Sequence, residues 1–98
     1  MDFLNKVIFV SKKLIMEDGK IYFDNYFATV NTITEDALVV TKTNGEEENL
    51  PKDEDFYDKA DEGLYELDDG TSHEDPDYIG EFLIYENDAA YEKYKDDY

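Results

Sequence analysis

Beyond Asn44 the chain becomes dominated by carboxylates: residues 45–98 carry 21 of the 27 Asp and Glu and only four of the nine Lys, whereas residues 1–44 carry six acids and five Lys. The formal charge of −18 therefore falls almost wholly on the second half. Charge at this density opposes collapse, because a compact state crowds like charges, and only apolar burial offsets that repulsion and the lost chain entropy. The chain carries material for the offset. Leu, Ile, Val and Phe supply 24 residues and Tyr nine more, which lies above the roughly one-fifth level below which a highly charged chain stays disordered. The sequence predicts one folded domain, residues 1–98, with no linker or internal repeat dividing it.

The first half reads as β. Residues 6–10 form a β-branched and aromatic run, Asp18-Gly19 marks a turn, and Ile21, Tyr22 and Phe23 resume the same chemistry, which predicts a hairpin. A helix over residues 3–15 competes, since Phe3, Leu4, Val7, Ile8, Leu14 and Ile15 fall near one helical face; Phe9 and Val10 spoil that face and favour the strand. Residues 26–34 and 37–41 are β-prone segments separated by Glu35-Asp36, and Asn44-Gly45 suits a type I′ turn.

Residues 46–62 then offer Leu50, Phe56, Tyr57 and Ala60 for burial against nine acids. Pro51 as a first helical residue and Gly63 as a stop predict one or two helical turns there. Residues 63–67 alternate as an edge strand, Asp69-Gly70 turns, residues 72–77 read as loop, and residues 80–85 as a central strand. Asn87 or Asp88 caps a C-terminal helix with Ala90, Tyr91 and Tyr94 at helical spacing. The expected architecture is mainly β (α+β): a small antiparallel curled sheet, or an SH3-like or OB-like barrel, of five to six short strands with one or two short helices, the last at the C-terminus.

The absence of Cys excludes disulfides, Cys-ligated zinc and thiol nucleophiles. The N-terminal residues show no secretory pattern, and the longest apolar run, residues 7–10, is too short to span a bilayer, so a cytoplasmic protein is expected. The sign of the charge argues against direct binding to nucleic acid or an anionic membrane. The single histidine, His73, stands among Glu74, Asp75 and Asp77, a setting unsuited to a general base, and is read as a solvent-exposed loop residue. Neither Ser11 nor Ser72 lies in a nucleophile-elbow sequence.

With 27 acids, a carboxylate pair at some spacing is assured, so pairs alone identify no hydrolase. Residues 66–77 gather oxygen ligands around Gly70, but an EF-hand counted back from that glycine needs acids where Tyr65 and Leu67 stand, which leaves weak divalent binding at most. No catalytic residue, cofactor or dedicated metal site is expected.

A more specific reading starts from carboxylate spacing. Glu46/Glu48, Asp53/Asp55, Glu66/Asp68, Asp75/Asp77 and Glu86/Asp88 are i, i+2 pairs. On a strand, the members of such a pair lie on one face about 6.5 Å apart. Duplex DNA advances about 3.4 Å per phosphate along each strand, so rows of carboxylates present a comparable charge density to a groove built for phosphates. Tyrosines are interleaved with these acids, either filling the edge of a small core or supplying contact area to an Arg/Lys-rich partner.

The candidate partner-binding residues are therefore Glu46, Glu47, Glu48, Asp53, Glu54, Asp55, Asp58, Glu66, Asp68, Asp69, Glu74, Asp75 and Asp77 with Tyr57, Tyr65 and Tyr78. The acids of residues 46–77 are expected to gather on one side. The expected function is a stoichiometric inhibitor or antidote that blocks a basic, nucleic-acid-handling protein or nuclease. In composition alone, small, acidic and cysteine-free, the chain is similar to phage-encoded inhibitors of host defence nucleases. The alternatives are an immunity protein against a nuclease toxin, and an acidic interaction module whose charge serves solubility without mimicry.

Overall fold

The computed structural model describes residues 2–98. Its elements are β1 (Val7–Ile15), β2 (Ile21–Ile33), β3 (Ala37–Lys42), β4 (Glu47–Pro51), a 3-10 turn (Glu54–Phe56), β5 (Tyr57–Lys59), β6 (Leu64–Glu66), β7 (Ser72–Glu74), β8 (Tyr78–Tyr85) and α1 (Asp88–Tyr94). Six strands form one sheet in the order β4-β3-β2-β1-β8-β5, and β6 with β7 forms a second, two-stranded sheet. The fold is the mainly β, curled architecture with a C-terminal helix that the sequence predicts. Neighbours pair antiparallel except β1 and β8, which run parallel. A parallel pair needs a long crossover, and here the whole excursion from β2 to β7 provides it.

Two contacts define the curl. Lys12 on β1 pairs with Glu48 on β4, across β2 and β3. The Tyr57 hydroxyl on β5 donates to the Pro51 carbonyl of β4 at 2.6 Å, although these strands are opposite ends of the sheet order. The sheet thus wraps until its ends touch at that point without a ladder closing it. Strand alternation fills the inner face with Ile8, Val10, Ala28, Val30, Leu38, Val40, Leu50 and Tyr57, and Phe3 adds to the same core. The outer face carries Phe9 and Phe27. The β6–β7 hairpin lies over them as a flap, with the Tyr65 ring 5.8 Å from Phe9 and the His73 ring 5.6 Å from Phe27.

Three hairpin turns share one design. In residues 16–20, 42–46 and 67–71 the glycine N–H donates back three residues, at 2.9 to 3.0 Å, with Gly19, Gly45 and Gly70 near φ +90°. The residue before each glycine, Asp18, Asn44 or Asp69, accepts from the N–H two positions on, at 2.9, 3.0 and 2.8 Å. Such a turn needs positive φ at the glycine alone, and Asn44 keeps negative φ, so the type I′ turn expected at Asn44-Gly45 is replaced by a three-residue loop with a glycine bulge.

Three further expectations change. The helical turns expected between Pro51 and Gly63 give way to the end of β4, a 3-10 turn and β5; in β4 Leu50 packs opposite Leu38 in the core and Pro51 sits with its N-atom side toward the free edge, so the ladder loses no donor. Only Glu54–Phe56 remains helical. Ile21–Ile33 is one continuous strand, its irregularity displaced to a register shift between Val30 and Thr32. Residues 72–74 are strand rather than loop, because the turn at Gly70 folds them onto β6.

At the C-terminus, Asn87 caps α1 by accepting from Ala90 N–H at 2.8 Å, and α1 buries Ala90. In the core, a Cβ built on Gly80 meets the Tyr57 ring at 2.9 Å and Phe82 at 3.1 Å. Gly80→Ala is therefore expected to lower stability by about 1–3 kcal/mol through overpacking against a ring that has no room to retreat; urea melts followed by circular dichroism will read it.

Candidate protein-binding surface

Several predicted site residues are occupied by the fold itself. Asp53 accepts from Asp55 N–H at 3.0 Å and caps the 3-10 turn. Asp75, at φ 52°, accepts from Gly63 N–H at 2.7 Å, and Asp77 accepts from Val7 N–H at 2.8 Å. The first bond closes the base of the flap, and the second ties its return to the base of β1. Asp69 closes its turn onto Thr71 N–H, and that bond holds its carboxyl below the usual carboxylate range.

Glu48 points inward. Lys12 and the Tyr26 hydroxyl both donate to it, and Lys42 lies 3.5 Å away. Burial alone would raise its pKa, but the hydrogen bonds from Lys12 and Tyr26 and the charges of Lys12 and Lys42 outweigh that and hold it below its ordinary value. The same burial, with Glu48 as acceptor, pushes the Tyr26 hydroxyl far up.

The i, i+2 rows do not form. None of the five pairs has both members in a strand: Glu46, Asp68, Asp75, Asp77 and Glu86 fall in turns or bends, and Asp53/Asp55 straddles the 3-10 turn. The tyrosines also move inside. Tyr57 is 2% exposed and its hydroxyl is pushed up to about 12 by burial. Tyr65 is wedged beneath the flap and donates to the Asp61 carbonyl at 2.8 Å, and Tyr78 packs its ring 5.2 Å from Phe3. These three are core and edge residues. His73 is likewise half-buried on β7, with Nδ1 buried and unpartnered, rather than an exposed loop residue.

The strand register nevertheless segregates charge. Side chains in step with Val10, Tyr26, Val40 and Tyr57 belong to the inner face, and the charged ones are Lys12, Lys42, Lys59, Asp24 and Glu48. Those in step with Phe9 and Phe27 belong to the outer face, and the charged ones are Lys13, Glu47, Asp58 and Glu81. The flap turns Tyr65 and His73 toward the sheet, so Glu66 and Glu74 stand on its solvent side, with Leu64, 60% exposed, opposite Glu74. Three of the four strand lysines thus face inward, while the sheet's acids divide between the faces, three outward and two inward, and the flap adds Glu66 and Glu74 to the outer side.

Between described residues, lysine pairs engage Asp18, Glu48 and Glu92. The exposed Glu46, Glu47, Asp55, Asp58, Glu66, Asp68 and Glu74 have no cation within 4 Å among the described residues, and Glu54 is exposed beside them. Exposed apolar side chains missed in the sequence reading add to the surface: Phe23 is 67% exposed, and Leu83 and Tyr98 lie near it across a shared groove.

No group of three or more His, Asp or Glu side chains among the described residues comes together as a metal site. No described helix is long and apolar enough to cross a membrane. Comparison with protein families, curated proteins and solved structures finds no match.

Proposed function

We propose that this protein binds and blocks a basic protein that handles nucleic acid, a nuclease being the foremost case, by presenting its acidic outer side where phosphates would bind. The observation that carries this reading is the difference in charge between the faces: Glu47, Asp58 and Glu81 stand on the outer face with Lys13 as its only strand cation among the described residues, and the flap on that side adds Glu66 and Glu74, whereas the inner face sets Lys12, Lys42 and Lys59 against Asp24 and Glu48. Acidity serving solubility alone needs no such sorting. Unpaired carboxylates held on a folded sheet steer a cationic partner from a distance and cost little reorganisation on contact.

The test is capture by the immobilised protein from the heparin-retained fraction of a bacterial lysate. Nucleic-acid-handling proteins are expected to bind and to be released by high salt. Capture no different from that of a neutral protein of the same size would overturn the reading.

A further inference from the structure

We propose that the seam where the curled sheet fails to close is a second element of the binding surface, one that accepts an extended basic segment of the partner by strand addition to β8. This rests on the proposed function for the class of partner and goes beyond it in naming the mode. Pairing of β5 with β8 stops at Tyr57 and Gly80, while β8 runs on to Tyr85. Parity shows which backbone groups are left over. Ala60 N–H donates to the Asp77 carbonyl on the β5 side, and Glu86 N–H donates to Ile15 on the β1 side, so odd-numbered residues of β8 face outward from the ladder. The N–H and C=O groups of Leu83 and Tyr85 therefore face an edge with no strand beside it.

Natural edges are guarded by Lys, Pro or a bulge. The opposite free edge, β4, has Pro51. The β8 edge has none of these: it reads Glu81-Phe82-Leu83-Ile84-Tyr85, with Leu83 44% and Ile84 37% exposed. A groove of about 390 Å³ runs between the two edges, lined by Asn49, Leu50 and Phe56 on one side and Phe82, Leu83 and Ile84 on the other. An extended chain laid there meets backbone partners on β8 and an apolar floor for every second side chain. Its remaining side chains project on the face of Glu81 and Glu47, where Lys13, in register with Leu83, is the one strand lysine among the described residues, and Lys12 at the groove itself is taken by Glu48. Charge decides the occupant. A second copy brings another −18, whereas an alternating basic and apolar segment satisfies both the edge and the field.

The test uses the full chain and, as probe, a labelled peptide of alternating Lys and Ile, with the same peptide N-methylated at every second residue as control, read by fluorescence anisotropy in high salt. The unmodified peptide is expected to bind, and methylation to weaken it about tenfold or more through lost backbone hydrogen bonds. Leu83→Pro removes an outward N–H while sparing the β1 ladder, and is expected to keep the wild-type melting temperature and lose affinity by about the same factor. If Leu83→Pro does not fold, the methylation comparison on the wild type still decides. Equal binding of both peptides, undiminished binding by folded Leu83→Pro, or a dimer that Leu83→Pro dissociates would overturn the proposal. Capture of a nucleic-acid-handling target reports separately on the outer face: capture without peptide discrimination leaves that reading standing and removes this one, and discrimination without capture does the reverse.

Discussion

Glu48→Ala is expected to destabilise the domain by about 3–5 kcal/mol, because it strands the buried Lys12 ammonium without a counter-charge. Small domains have about 5–15 kcal/mol in total, so the variant sits near the edge of folding. The loss exceeds that of an ordinary acid-to-alanine change since Glu48 also accepts from Tyr26 and lies 3.5 Å from Lys42, tying β1, β2, β3 and β4 at one level of the curl. Replacing both partners with apolar residues, Lys12→Met with Glu48→Leu, is expected to recover much of the loss, since neither charge is then buried alone. Urea melts of the single and double variants measure both numbers.

The pH dependence follows from the same group. The folded pKa of Glu48 lies below its unfolded value of 4.5, so its contribution is present in full above that value and is lost as pH falls through the folded one. Acid melts of the wild type should steepen over this range, and those of Glu48→Ala should be flatter. Repulsion among the exposed carboxylates is a separate effect, relieved by added salt, which is expected to raise the melting temperature.

Reversing four acids of the outer side together, Glu47, Asp58, Glu66 and Glu74 to Lys, is expected to slow association with the captured target by about 10- to 1,000-fold and to flatten its salt dependence. The change takes the formal charge from −18 to −10. All four side chains are exposed and lack ion-pair partners among the described residues, so the fold should hold or gain slightly as repulsion falls. Dissociation should change less than association, because long-range attraction acts on encounter. Stopped-flow binding at two ionic strengths reads these terms, with a melt as the folding control.

How far the residues foretold the structure depended on whether local chemistry or tertiary contact decided each element. The β1–β2 and β3–β4 turns, the long apolar strand β8 and the Asn87 cap were readable because turn glycines, β-branched runs and capping side chains act locally. Residues 46–51, three consecutive acids with one large apolar side chain, look solvated in isolation. They become β4 because Leu50 and Glu48 find Leu38, Tyr26 and Lys12 across the curl, partners that sequence spacing does not reveal. Tyr57 was read both as material for burial and as a contact residue among acids; its ring fills the space that Gly80 leaves, a partner that no periodicity in residues 46–62 announces. The concentration of acids was visible at once, but its direction was not. A period-2 register decides which carboxylates face outward, and one residue of error inverts every assignment.

The account stands or falls on whether the acidic outer side occupies a site made for phosphates. The direct measurement is equilibrium binding of the protein to its captured target across a titration of duplex DNA at fixed ionic strength. The account predicts that the apparent Kd rises in proportion to DNA concentration, as competition for one site requires. An apparent Kd that stays constant while DNA demonstrably occupies the target would contradict it.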